Sequence, residues 1–193
     1  MNIPTNILNY LRTNADIKRV VVFGTESTGK TTLAQKLAAH FGEPWAPEFV
    51  REFWDLKEGK IAAGDLGTIA LGQIANEDHA VAAAKRVTFF DTDLLTCTLW
   101  NDWLFPGECP PWVREEADRR ARAVTLWLLC DTDIPWSPDP QRSFPDEAGR
   151  SRGRRLWREA LDSRALPFVE IRGDWAARER GAIAAVERIL ART

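Results

Sequence analysis

Gly24-Thr25-Glu26-Ser27-Thr28-Gly29-Lys30-Thr31 is a complete G-x-x-x-x-G-K-[ST] phosphate-binding loop. Its flanks come in the order the chemistry requires. Upstream, Arg19-Val20-Val21-Val22-Phe23 is a short β-branched run that suits a buried parallel strand. Downstream, Leu33, Leu37 and Phe41 recur every four residues beside Ala34 and Ala38, which makes one apolar helix face. The glycines let the chain curl, so that successive N–H groups and the positive end of the helix face an anion. Lys30 is expected to reach the β- and γ-phosphates of a nucleotide, and the Thr31 hydroxyl to join a Mg²⁺ shell. Residues 24 to 31 together with Thr32 are the expected nucleotide-binding set.

Outward from this loop, apolar strands alternate with helical patterns. A second extended piece falls within Glu43 to Phe49, and residues 65 to 85 read as a helix with Leu66, Ile69, Ala70, Ile74 and Val81 on one face. Arg86 to Phe90 is a buried strand ending on Asp91. Helices are predicted over 94 to 103 and 112 to 121, strands over Ala123 to Cys130 and Leu166 to Ile171, and a last helix capped by Asp174. Residues 1 to 18 form a lead-in with a helical turn around Ile7, Leu8 and Leu11. The alternation predicts an α/β fold: a P-loop kinase-like parallel sheet of about five strands, helices on both faces, one domain over residues 1 to 193. Asp131 to Gly153, rich in Pro, Asp, Ser and Arg, is a polar connection starting at a strand's carboxyl end, where such sheets bind ligands, and is the expected lid.

Composition narrows the class. The 193 residues carry 26 basic and 28 acidic side chains, a formal charge of −2, so neither a nucleic-acid nor a membrane-surface partner is expected. No stretch reaches the roughly 18 apolar residues of a membrane span, and the first residues lack a signal-peptide pattern, so a cytoplasmic location is expected. Cys97, Cys109 and Cys130 show no CxxC spacing and suggest neither disulfide nor zinc site. His40 and His79 sit in no HxGH or HExxH context, which argues against histidine-based nucleotidyl transfer and zinc hydrolysis.

Several residues are candidates for chemistry. Asp91 closes an apolar strand, as a Mg²⁺-holding carboxylate does. Asp93 either shares that cleft or caps the next helix. Glu48 stands where a carboxylate can take the proton of an attacking hydroxyl, with Arg51 one turn on. In the lid, Arg142 and Arg150 are candidates to clamp a transferring phosphoryl group, while Arg152, Arg154 and Arg155 read as a solvated helix start. The Asn-Lys-x-Asp run of guanine-selective switches is absent.

The P-loop, Pro47-Glu-Phe-Val-Arg-Glu-Phe53, Gly72-Gln73 with Glu77, Phe90-Asp-Thr-Asp93 with Thr96, and Leu128-Leu-Cys-Asp-Thr-Asp-Ile-Pro-Trp136 with Asp139 and Arg142 together resemble one family. They look like the ribosylnicotinamide kinase domain of bacterial bifunctional NAD-biosynthesis proteins, from about residue 19 onward. Departures are Pro140, where the family usually has Gly, and Phe53, where Tyr is common. The resemblance implies ATP-dependent phosphorylation of the ribose 5′-hydroxyl of nicotinamide riboside, with ATP and Mg²⁺ as cofactors. It implies roles for Lys30 and Thr31 toward ATP, for Asp91 toward the metal, and for Glu48, Arg51, Gln73 and Asp93 on the nucleoside side, with Arg142 in the lid. Trp45 is the candidate to stack on the pyridinium ring. The family's adenylyltransferase domain has no counterpart in this length, so a kinase alone is expected. The alternatives are another P-loop nucleoside or small-metabolite kinase, and a non-catalytic ATP-binding regulator.

Overall fold

A computed structural model describes residues 16–144 and 146–192. The helical turn expected around Ile7, Leu8 and Leu11 lies outside the described residues. Five parallel strands, β1 (Lys18–Phe23), β2 (Trp45–Ala46), β3 (Val87–Asp91), β4 (Leu126–Cys130) and β5 (Phe168–Ile171), form one sheet in the order β2-β3-β1-β4-β5. Among the described residues seven α-helices accompany them: α1 (Lys30–Phe41), α2 (Phe49–Leu56), α3 (Leu66–Ala83), α4 (Leu94–Leu104), α5 (Pro111–Ala121), α6 (Glu147–Asp162) and α7 (Trp175–Leu190).

Strand alternation divides the core into two layers. Val20 and Val22 of β1 pack with Leu33 and Leu37 of α1 and with Ala182 and Val186 of α7. Val21 and Phe23 point the other way, toward Val81 of α3, Leu95 of α4 and Trp157 and Leu161 of α6. Every β1 residue from Val20 to Phe23 is fully buried. A satellite cluster of Ala70, Leu94, Cys109, Val113 and Ala117 joins α3, α4 and α5.

The register positions the chemistry. β1 pairs with β3 so that Val22 stands opposite Asp91, two residues before the loop begins at Gly24. The loop's lysine and the carboxylate strand therefore meet at the same carboxyl edge of the sheet. The expected lid is corrected at its far end. Asp146 caps α6, accepting the N–H of Gly149 at 2.7 Å, so residues 147 to 153 are helix rather than loop. This turn of α6 rests on the phosphate loop: a Cβ on Gly153 would lie 2.6 Å from the Thr25 hydroxyl.

Candidate active site

α1 starts on Gly29, which adopts φ 77 and ψ 19, and no side chain caps it. The N–H groups of its first turn, which no helix can satisfy internally, are thus open to an anion. A side chain at Gly29 is excluded twice, by its left-handed backbone and by the Trp175 ring, 2.4 Å from where a Cβ would stand. The Lys30 ammonium donates to the Thr25 carbonyl at 2.8 Å, and the Thr28 hydroxyl donates to the same oxygen at 2.8 Å. Thr32 lies on the exposed side of this turn.

Asp91 is 1% exposed, and its Oδ1 has no hydrogen-bond partner. The Thr31 hydroxyl lies near the same carboxyl group and favours its charged form. Burial first, then the Glu48 charge, push the Asp91 carboxyl up to about 6, against the pull of Lys30, Thr31 and Arg51. A buried carboxylate oxygen without a donor, beside a threonine hydroxyl, fits a hard cation that takes oxygen ligands.

Beside this edge opens a cavity of about 370 Å³. Lys30 and Glu26 stand at its phosphate-loop end, Glu48, Arg51 and Trp54 come from α2, and Thr96, Cys97 and Trp100 from α4. Leu66 and Ile69 of α3 supply apolar wall, and Gln141, Arg142 and Ser143 of the β4–α6 connection form the remaining side. Glu48 sits at the N-cap of α2, and its carboxylate accepts from Arg51 Nε at 3.0 Å. Arg51 reaches on to Asp139 at 3.5 Å. Burial alone would lower the Arg51 guanidinium, but Glu48, Asp91 and Asp139 hold it above its ordinary value.

The connection is tied to the phosphate loop. The Glu26 carboxylate accepts the N–H groups of Ser143, at 2.7 Å, and of Phe144. Arg142 donates to the Ser27 hydroxyl at 3.2 Å and to the Ser137 carbonyl. The Phe144 ring stacks on Trp100 with centroids 5.5 Å apart. One loop therefore touches both the phosphate grip and the cavity wall.

Several expected residues fall elsewhere. Trp45 does not face the cavity. It precedes Ala46 in β2, and alternation turns its indole into the α1–α7 layer, opposite to the layer that lines the cavity. Trp54 and Trp100 occupy the wall instead. Asp93 is 3% exposed and caps α4: Oδ1 accepts from Thr96 N at 3.1 Å and Oδ2 from Leu95 N at 3.1 Å. Burial raises its carboxyl to about 6 against those bonds. Gln73 is 1% exposed; its Oε1 accepts the Phe49 N–H at 3.0 Å and its amide donates to Glu77 at 3.3 Å. It holds the start of α2, next to Glu48, rather than lining the cavity. Arg150 is spent on its own connection, donating to the Thr132 and Ile134 carbonyls at 2.7 and 2.6 Å. The Glu26 carboxylate is taken up by the Ser143 and Phe144 N–H groups of the β4–α6 connection.

Glu77, quoted with Gln73 in the resemblance, accepts from Arg120 Nε at 2.8 Å and from the Leu94 N–H at 3.1 Å, besides Gln73. One contributor carries no motif: Arg178, on α7, donates to the Thr28 carbonyl of the phosphate loop. Its only signal in the sequence is a charged residue on an otherwise apolar helix face.

The family model of the AAA domain matches residues 19–178. Over 173 residues the chain is 31% identical to the trifunctional NAD biosynthesis/regulator protein NadR of Escherichia coli (strain K12), covering 88% of this chain and 40% of that protein. A crystal structure of a NadR protein in complex with NR superposes with a TM-score of 0.74 at 23% identity, over 93% of this chain and 53% of that one. A NadR protein in complex with NAD and AMP-PNP gives 0.71 at 22% identity, over 95% and 52%. The chain thus spans about two-fifths of the length of the curated relative it matches.

Proposed function

The chain belongs to the AAA domain family, and from that premise we propose that it transfers the γ-phosphoryl group of ATP to the 5′-hydroxyl of nicotinamide riboside, giving nicotinamide mononucleotide for NAD salvage. The observation that carries this reading is the cavity of about 370 Å³ with Lys30 at one end and Glu48, Trp54 and Trp100 around it. Its volume suits a small-molecule acceptor. Tryptophan faces and carboxylates suit a pyridinium cation. The likeness over the matched region to proteins named for NAD biosynthesis supports the same choice.

In this reading the loop amides and Lys30 hold the β- and γ-phosphates, so charge developing on the transferred group meets fixed donors. The acceptor hydroxyl oxygen bonds to the γ-phosphorus as the bond to the bridging oxygen breaks. ADP leaves, and the hydroxyl proton passes to Glu48. Glu48 is preferred over Asp93 because it lines the cavity, whereas both Asp93 oxygens already accept main-chain N–H groups. Arg142, held by Ser27 and Ser137, adds positive charge at the lid side. Thr31 and Asp91 would hold Mg²⁺, which when bound neutralises phosphate charge and orients the chain of oxygens. Residues 131 to 146 act as the lid, and the described residues work as one kinase domain. Among the described residues no helix is long and apolar enough to cross a membrane; the work is assigned to the cytoplasm, where ATP is supplied.

The test is a panel of acceptors with ATP and Mg²⁺, read by ADP release. Turnover with nicotinamide riboside well above that with adenosine, deoxyadenosine and shikimate is expected. Preference for another acceptor would reassign the substrate. ATP binding with no turnover on any acceptor would mark a regulator instead.

A further inference from the structure

We propose that Arg178 is a positioning residue of the phosphate loop, fixing the direction in which the Gly29 N–H faces the nucleotide. This rests on the nucleotide-binding reading above. Arg178 is 1% exposed, a guanidinium taken almost wholly out of water. Such burial is costly unless its donors are met, and here they are. Nε donates to the Gly173 carbonyl at 2.8 Å, Nη1 to the Thr28 carbonyl at 3.1 Å and Nη2 to the Asp131 carbonyl at 2.9 Å. Nη2 also meets Asp133 Oδ1, and Asp133 Oδ2 accepts the Gly173 N–H at 2.6 Å.

The Thr28 contact bears on binding. In a trans peptide the carbonyl of one residue and the N–H of the next point in opposite directions. A donor that fixes the Thr28 carbonyl inward therefore turns the Gly29 N–H outward, to the side where the uncapped first turn of α1 faces an anion. One turn earlier on α7, the Trp175 ring closes over Gly29. The start of α7 thus grips this peptide from its carbonyl side and from its glycine side. The same guanidinium touches the Asp131 carbonyl, where the lid leaves β4. A planar fork with several donors serves three separate main-chain carbonyls at once, which an ammonium does not.

Isothermal titration with ADP plus Mg²⁺, and separately with nicotinamide riboside, tests this on the full chain. Arg178→Met should raise the ADP dissociation constant by roughly tenfold or more, the worth of a charge-assisted bond lost from a buried group. Affinity for nicotinamide riboside should stay within about twofold, and Arg178→Lys should recover part of the ADP loss. Asp133→Asn keeps the guanidinium but weakens one acceptor, and serves where Arg178→Met fails to fold; a shift of roughly threefold in ADP affinity is expected. Unchanged ADP binding in Arg178→Lys and Asp133→Asn, or equal loss for both ligands, overturns the positioning role. Wild-type protein that does not bind ADP would overturn the nucleotide-binding reading itself, and this inference with it.

Discussion

The carboxylate of Glu26, inside the phosphate loop, accepts the main-chain N–H of Ser143 at 2.7 Å. An acidic side chain beside a polyphosphate site would repel its ligand; here its charge is used on the β4–α6 connection. Glu26→Gln replaces one acceptor oxygen with a donor and releases one lid amide. Acceptor KM should rise roughly tenfold, in line with one charge-assisted hydrogen bond. Steady-state kinetics with varied acceptor read this, and an unchanged KM would mean the lid is held by other contacts.

Lys30 donates to a loop carbonyl and borders the cavity. Lys30→Ala should lower kcat by a factor on the order of a hundred to a thousand, as loss of a preorganised transition-state donor does. Its melting temperature should stay near wild type, because the side chain is only partly buried. Retained turnover would refute the assigned chemistry.

Glu48 and Asp93 make opposite predictions. Glu48→Gln should cut kcat by roughly a hundred- to ten-thousandfold with nucleotide affinity unchanged. Asp93→Ala should instead lower the melting temperature, since it removes a helix cap of about 1 kcal/mol. Paired kinetics and thermal unfolding separate the two, and the reverse pattern would make Asp93 the base.

The tryptophans can be sorted the same way. Trp54→Ala should raise acceptor KM roughly tenfold with little loss of stability, whereas Trp45→Ala should cost about 3 kcal/mol of folding free energy and leave KM unchanged. Chemical denaturation beside kinetics tests the pair.

Burial pushes the Glu77 carboxyl up to about 7 from 4.5, against attraction from Arg120 and hydrogen bonds from Arg120 and Gln73, with the Asp93 charge adding to the rise. The Leu94 N–H and the Asp78–Arg120 pair complete its surroundings. A folded value above the unfolded one means the folded state binds the extra proton. That stabilisation is whole below about pH 4.5 and is lost as pH climbs through 7. Melting temperature should therefore fall between pH 5 and 8, and Glu77→Gln should flatten the fall. A slope unaltered in that variant would place the titrating group elsewhere.

Much of this was legible in the chain. The P-loop pattern, the apolar run ending on Asp91 and the four-residue spacing of Leu33, Leu37 and Phe41 are local signals, and each appears in the expected element. Less legible were the features decided between elements. Whether Trp45 faces the cavity depends on the phase of a two-residue strand, which no periodicity can set. The helical start at Glu147 hides within a polar run because arginine and glycine mask the pattern there. Trp54, Trp100 and Arg178 are brought to the site by packing between layers, so their spacing along the chain carries no trace of it.

The two-layer core separates two jobs. The nucleotide grip is anchored through α1 and α7 on one side of the sheet, while the acceptor chamber is carved from α2, α3 and α4 on the other. A change of shape in the chamber need not travel through the sheet to the phosphate loop. On the proposed reading, the chamber can be reshaped for another acceptor while the loop keeps its hold on the nucleotide.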